Sequence, residues 1–296
     1  MMKLSGKAKN QIRSYFWAIV LAIDCLLIIA LYLWAAITSF KSQLDLLDNV
    51  IGLPADKFGW RWDNYVKAFE VFYVPVSTPY GPQQIELIEL FFNTIAYAGG
   101  CAFVITFSHF VCAYITARYQ MAICKVVFNI VILTMVIPIY GSLPAELKMV
   151  RSLGLYDSIW GQYLLKISFL GTYFLIFNSS IKSLGNAYAE AAEIDGASPS
   201  RVMFSIYLPL DKSVFIGIFL LYFIGYWNEY MTPLYYMPSY PTINYALNFI
   251  QYANATEITT PIILGTAMLS ALPVVILFIF FRDKFMGNLT FGGLKG

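Results

Sequence analysis

Charge is what this sequence has least of. Of its 296 residues only 12% are Asp, Glu, Lys or Arg, while 59% are hydrophobic. An ordinary soluble domain carries about a quarter charged residues, so the deficit excludes a conventional soluble surface. Histidine is scarcer still. The single His109 allows no Ser-His-Asp arrangement and no metal-ligand spacing, which leaves no catalytic residues and no metal site to assign. The four cysteines, Cys25, Cys101, Cys112 and Cys124, lie in or beside apolar runs without a CxxC pair. They read as buried space-fillers rather than disulfides or metal ligands. No G-x-x-x-x-G-K-[ST] phosphate loop occurs, since Gly6-Lys7-Ala8 lacks the rest of the pattern. A net charge of +2 without a basic stripe gives no footprint for nucleic acid, and none is expected as a partner.

What is present is apolar sequence in long runs. Crossing about 30 Å of hydrocarbon takes roughly 20 residues of helix, and six segments qualify: about 15–40, 91–117, 126–144, 159–179, 214–234 and 261–281. The fold class is therefore all-α, a polytopic membrane protein with six transmembrane helices. Pro138 and Gly141 are placed to shorten or kink the third span. The basic N-terminus followed by an apolar run has signal-peptide character. The run is too long and lacks a small-x-small cleavage site, so a retained anchor is expected. The chain divides into an N-terminal segment 1–14, a first span 15–40, an outer loop 41–90, a five-helix core 91–281 that contains a polar segment at 182–212, and a tail 282–296.

Lys and Arg placement orients these spans, because short cytoplasmic loops are enriched in both. Lys3, Lys7, Lys9, Arg13, Arg118, Lys125, Lys182, Arg201, Lys212, Arg282, Lys284 and Lys295 fall on one side. Lys41, Lys57, Arg61, Lys67, Lys148 and Arg151 fall on the other, in longer loops that also carry acids. Both termini and the polar segment are thus expected on the cytoplasmic side.

Within that segment lies Glu190-Ala191-Ala192-Glu193-Ile194-Asp195-Gly196-Ala197-Ser198, closed by Ile206, Leu208 and Pro209. Asn186 is suited to cap a short helix, Gly196 to stop it, and Ser198 with Pro199 to start another. Glu190 and Glu193 share a helix face, and Asp195 sits in the last turn, where the dipole disfavours an acid. Two readings stand open on these residues alone. One is a solvated acidic turn; the other is a docking knob whose small alanines permit close approach and whose carboxylates meet a basic partner.

The order Glu-Ala-Ala, a Gly further on and then Ile-x-Leu-Pro resembles the cytoplasmic coupling motif of ABC importer permeases, and Asp195-Gly196-Ala197-Ser198 resembles its carbohydrate branch. Asn64-Tyr65 resembles a recurring feature of the sugar-permease branch, and the Leu153–Gly161 phrase is similar to the family's. The ending Leu289-Thr290-x-Gly292-Gly293-x-Lys295-Gly296 resembles the tail of the maltose-type subunit, so that the chain as a whole is most similar to the second, shorter maltose-type subunit. Leu184-Gly185-Asn186 departs from relatives that carry a Pro, which leaves the start of the coupling helix open.

The resemblance implies a bacterial cell-membrane subunit that pairs with a homologous permease, two ATP-binding chains and an extracellular binding protein. ATP and Mg would be held by the ATPase partners and no cofactor by this chain. The tail residues would approach the ATPase, and the solute would be a carbohydrate, an oligosaccharide above all. Residues 231–260, uncharged by Lys or Arg and rich in tyrosine (Tyr235, Tyr236, Tyr240, Tyr245, Tyr252), would face the binding protein. They are equally readable as an aromatic belt at the membrane boundary.

Ionisable residues inside spans cost about 2.5–3.5 kcal/mol on insertion scales, so each is a functional candidate. Lys166, with Tyr226, Trp227, Asn228 and Glu229 at the end of the fifth span, marks a candidate translocation path. Lys166 either snorkels outward or faces a watered path, where it would admit an acidic saccharide. Asp24 is expected to bond a neighbouring helix, and His109 to bridge two helices. The alternative function is an ion-gradient-driven secondary transporter of a small polar solute, although no internal repeat supports it.

Overall fold

The computed structural model describes residues 6–55, 59–78, 81–119, 121–137, 143–252 and 258–289. In chain order the elements are α1 (Gly6–Thr38), α2 (Gln43–Asp48), α3 (Asp63–Glu70), β1 (Tyr73–Thr78), β2 (Gly81–Glu86), α4 (Leu87–Arg118), α5 (Ala122–Val136), α6 (Leu143–Ser152), α7 (Ile159–Leu165) and α8 (Thr172–Leu184). Then follow α9 (Ala187–Ile194), α10 (Pro199–Val202), a π-helical turn (Met203–Tyr207), α11 (Leu208–Leu210), α12 (Lys212–Asn228), α13 (Met231–Tyr236), α14 (Ile243–Tyr252) and α15 (Thr260–Leu289). The chain forms two compact units, one of 1–72 with 250–272 and one of 73–249 with 273–296.

In the first unit α1 runs for 33 residues, about 50 Å at 1.5 Å per residue. Its apolar side chains are exposed around the whole circumference from Tyr15 to Leu33, the appearance of a helix solvated by lipid. Asp24 is exposed with them, and the expected bond to a neighbouring helix is not made among the described residues. After α1 the chain turns sharply and is pinned by Asn64. Its buried amide donates to the carbonyls of Ser39 and Lys41, each at 2.8 Å. Phe40 packs its ring against Trp60, Trp62 and Tyr65. Trp60 and Trp62 keep an exposed face, as side chains of the headgroup zone do. The Arg61 guanidinium, hydrogen-bonded to Asp63, holds that carboxyl below its ordinary pKa.

The second unit is built on α4, which packs against both α8 and α12. Phe110, Tyr114, Phe174, Phe177 and Ile218 form its core. An antiparallel hairpin, β1 paired with β2 from Tyr73↔Glu86 to Thr78↔Gly81, precedes α4. The all-α expectation had no strand there; alternating Val74, Val76 and Ile85 on the buried side account for it.

Among the described residues, three helices are long and apolar enough to cross a bilayer on their own, over Arg13–Thr38, Leu87–Arg118 and Thr260–Arg282. The third, fourth and fifth expected spans correspond to shorter pieces. The third is the 15-residue α5; Pro138 and Gly141 lie outside the described residues. The fifth is the 17-residue α12. The fourth is not one helix but two, α7 and α8, separated by residues 166–171. Gly171 there has φ 140°, a conformation glycine alone adopts readily, and Lys166 ends α7. Ser158 caps the start of α7 by accepting from the Gly161 N–H at 3.3 Å.

Candidate functional site

The coupling segment has the helix–turn–helix form its residues dictate. α9 closes on Gly196, φ 81°, with Gly196 N–H donating to the Glu193 carbonyl at 3.1 Å and Ala197 N–H to Ala192 at 2.9 Å. This pair of bonds satisfies carbonyls that would otherwise be orphaned at the helix end. Ser198 caps α10 by accepting from the Arg201 N–H at 3.4 Å, with Pro199 in the first helical position. At the other end Asn186 precedes α9 as expected, yet its side chain makes no cap bond. Its φ of −96° and ψ of −14° are already helical, whereas capping through the side chain requires an extended residue. The start of α9 left open by the missing Pro is therefore Ala187.

Two faces divide the motif. Ala189 is fully buried, and Ala192, Ala197, Ile206 and Leu208 pack with it on the core of the second unit, alongside Val202 and Tyr207. Glu190, Ala191, Glu193, Ile194, Asp195, Gly196, Ser198 and Pro209 are exposed. Ile194 is 86% exposed. The alanines were expected to serve close approach by a partner, but Ala192 and Ala197 serve the chain's own packing and only Ala191 faces outward.

Three contacts tie the segment to the spans. Arg118, the last residue of α4, bonds both carboxylate oxygens of Glu193 at 3.1 and 3.2 Å. The Tyr207 hydroxyl donates to the Gly185 carbonyl at 2.6 Å. Asp211, buried at the bend of 78° between Pro199–Leu210 and α12, accepts from the Ser180 hydroxyl of α8 at 2.5 Å. Burial raises the Asp211 pKa to about 6, against the lowering effect of the Ser180 bond. The tail residues Thr290, Gly292, Gly293, Lys295 and Gly296 lie outside the described residues, as does the side chain of Leu289.

At the opposite end of the unit, the structure brings Lys166, Tyr226 and Glu229 together. The Lys166 ammonium lies 5.3 Å from the centre of the Tyr226 ring, within cation–π range. The Tyr97 hydroxyl donates to Glu229 at 2.9 Å, and the Thr232 hydroxyl donates to the other carboxylate oxygen. Tyr97 and Thr232 went unnoticed in the sequence, where a tyrosine in an apolar run carries no spacing signal. Trp227 and Asn228 part from this group. Trp227 is buried against Phe91 and Phe223, and the exposed Asn228 amide turns back to the Ile224 carbonyl.

His109 bridges helices as expected, and its acceptor lies in the break of the fourth span. Its Nε2 is 3.2 Å from the Leu170 carbonyl and its Nδ1 is 3.3 Å from the Tyr222 hydroxyl. One neutral tautomer satisfies both contacts: Nε2–H donates to the carbonyl and Nδ1 accepts from the hydroxyl.

The tyrosine-rich loop at 231–260 is held by a carboxylate. Asp157, φ 56°, accepts from the Ser239 N–H at 2.9 Å and its hydroxyl at 2.6 Å, while the Asp157 N–H donates to Tyr236 at 2.7 Å. The Tyr236 hydroxyl is spent on Glu146 at 2.9 Å. Of the five tyrosines, Tyr235, Tyr240 and Tyr252 remain exposed, Tyr236 is buried and Tyr245 is half-buried. No group of three His, Cys, Asp or Glu side chains suited to a metal occurs among the described residues.

A solved bacterial ABC transporter that imports the acidic polysaccharide alginate shares the fold, with a TM-score of 0.73 at 21% identity, over 96% of this chain and 99% of that one. Curated relatives include the galactooligosaccharides transport system permease GanQ of Bacillus subtilis, 26% identical over 98% of both chains. The diacetylchitobiose uptake permease NgcG of Streptomyces coelicolor is 21% identical over 91% of this chain and 85% of its own. The maltose/maltodextrin permease MalG of Vibrio vulnificus is 26% identical over 73% of this chain and 75% of its own. The profile described as binding-protein-dependent transport system inner membrane component matches residues 109–289, more than half of the chain and all of the coupling segment. This chain therefore belongs to the family of binding-protein-dependent transport system inner membrane components.

Proposed function

We propose that the chain is one membrane-spanning subunit of an ATP-driven importer of carbohydrate, and of oligosaccharides within that class. It pairs with a homologous permease and with two ATP-binding chains that hold ATP and Mg. It receives solute from an extracellular binding protein and lies in a bacterial cell membrane with both termini cytoplasmic. The observation that carries the reading is the two-faced coupling segment. Exposed Glu190, Ile194 and Asp195 stand on a helix whose other face is locked into the α4, α8 and α12 core.

A push on the exposed face reaches α4 through Glu193–Arg118, α8 through Tyr207–Gly185 and Asp211–Ser180, and α12 through the bend at Asp211. Closure of the ATPase then shifts the population between two arrangements of these helices. At the far end, Lys166, Tyr226 and Glu229 form the part of the path this chain contributes. One charge of each sign beside aromatic rings favours a neutral sugar over an acidic one. Family membership and the names of the relatives support the carbohydrate class against gradient-driven transport.

The test is the reconstituted complex with its binding protein. Saccharides are offered singly, and solute-stimulated ATP hydrolysis is measured in the wild type and in Glu190→Ala. Stimulation by an oligosaccharide in the wild type, with loss of stimulation and of uptake in the variant, is expected. Uptake that survives in Glu190→Ala, or that follows an ion gradient without ATP, would overturn the reading.

A further inference from the structure

We propose that the cavity at the foot of α4 and α8 is a binding site for a phosphate-bearing anion. The cavity measures about 270 Å³ and is lined by Ala117, Arg118, Ile181, Lys182, Asn186 and Tyr207, with Gly185 at its edge. It lies just below the roughly 300 Å³ at which drug-sized ligand sites begin, a size for a headgroup or a small anion rather than a saccharide. Ala117 and Arg118 end α4, and Ile181 and Lys182 lie in the last turn of α8, with Asn186 and Tyr207 of the polar segment closing the cavity, so it sits where the ends of two spans approach the headgroup layer.

Three unspent donors line it. Arg118 gives one guanidinium nitrogen to Glu193, but its side chain is only 11% exposed and its buried Nε has no partner. Lys182 forms no ion pair among the described residues; its ammonium rests 5.2 Å from the centre of the Phe128 ring. The Asn186 amide, which the sequence pattern assigns to capping α9, makes no cap bond and lines the cavity instead. A cation that merely snorkels keeps its head in water, whereas Arg118 is almost wholly enclosed. The buried Arg118 Nε without an acceptor is costly, while Lys182 and Asn186 stand exposed at the rim of the cavity, and one oxyanion with several acceptor oxygens can accept from all three side chains. Phosphate provides them with charge-assisted geometry. The shared chemistry is that of a lipid phosphodiester and of free phosphate, and the two sources differ in how they reach the site.

The proposal rests on the membrane placement of α4 and α8 and not on the transported solute, so its failure would leave the importer reading intact. The assembled transporter is purified as wild type, as Lys182→Gln/Asn186→Ala, and as Lys125→Gln, a control at the exposed start of α5 outside the cavity. Arg118 is left in place so that the Glu193 pair persists. Each protein is exchanged into nanodiscs of phosphatidylcholine with phosphatidylglycerol, and retained lipid is counted by native mass spectrometry. In parallel, radiolabelled inorganic phosphate is equilibrated against the complex in phosphatidylcholine alone.

The wild type and Lys125→Gln should retain the anion alike, and the double variant about fivefold less, the effect of one cation near the surface. Loss confined to the phosphatidylglycerol arm assigns the site to lipid, and loss confined to the other arm assigns it to free phosphate. Equal retention by all three proteins, or equal loss in Lys125→Gln, would overturn the proposal. So would a double variant that sheds its ATPase chains while the wild type retains no anion, since the cavity would then be covered by a partner protein.

Discussion

The two ends of the second unit solve opposite problems with different chemistry. At the coupling end, exposed carboxylates stand over alanines, and the ties to the spans run through Glu193–Arg118, Tyr207–Gly185 and Asp211–Ser180. At the other end there is no Lys or Arg from residue 231 to 260, and the loop is clamped to its neighbours by Asp157 and Glu146. The first surface, which the proposed coupling role offers to a basic partner, keeps Glu190 and Asp195 exposed. A surface that must keep its shape spends its acids internally on hydroxyl and backbone donors. The carboxylates of the two ends thus differ less in number than in what they bind.

The sharpest way to break this comparison is at the turn of the coupling segment. Gly196→Val places a β-branched residue at φ 81°, where even an unbranched L residue is disfavoured by about 1–2 kcal/mol. The exposed acids would be re-aimed, and solute-stimulated ATP hydrolysis by the assembled complex should vanish while basal hydrolysis by the ATPase chains remains.

At the other end, Asp157→Ala removes the acceptor of two hydrogen bonds, each of about 1.5–3 kcal/mol for a charged group. Stimulation by the solute-loaded binding protein should fall about tenfold, with the complex still assembled. If instead assembly fails, the clamp belongs to folding and the contrast between the ends is lost.

Asp211 sharpens the comparison through pH. Its carboxyl titrates at about 6 in the folded chain against 3.8 for the ordinary group. Folded protein therefore holds a proton that the unfolded chain has already lost between those values. Stability should fall as pH rises from about 4 to about 6 and level off above. Asp211→Asn should abolish that slope and raise the melting temperature at pH 7 in detergent. A variant that melts with an unchanged pH profile would show that the bend is not governed by this group.

The smallest effects distinguish two caps. Ser198→Ala removes a cap bond that is made and should destabilise by about 1 kcal/mol, whereas Asn186→Ala removes none and should change thermal stability by a few tenths at most.

Much of the coupling end was legible because its determinants are local. Gly196 stops α9 and Ser198 with Pro199 starts α10 because caps and left-handed turns are chosen within four residues. Asn186 shows where that logic stops: its residue type suits a cap, but its own helical backbone withholds the side chain. The fourth span misled for a related reason. Lys166-Ile167-Ser168-Phe169-Leu170-Gly171 is apolar enough to pass as helix. The break is stabilised from outside it, by the His109 Nε2–H of α4 donating to the Leu170 carbonyl. The hairpin at Tyr73–Glu86 escaped notice because a short alternating pattern in a long loop is weak against six apolar runs. Trp227 was grouped with Glu229 by adjacency, although Trp227 lies within α12 and packs on Phe91 and Phe223, whereas Glu229 follows the helix end in an extended conformation.

The sequence by itself determined that the chain is a membrane protein, where its acidic protrusion lies, and how that protrusion turns, since hydropathy and caps act over short range. Only the tertiary structure decided which alanines face inward, which carboxylates are tied and which are offered, and that Tyr97 and Thr232 hold Glu229 beside Lys166 and Tyr226. Those outcomes depend on helices far apart in sequence arriving at one place, and pairing across such distances leaves no periodicity to read.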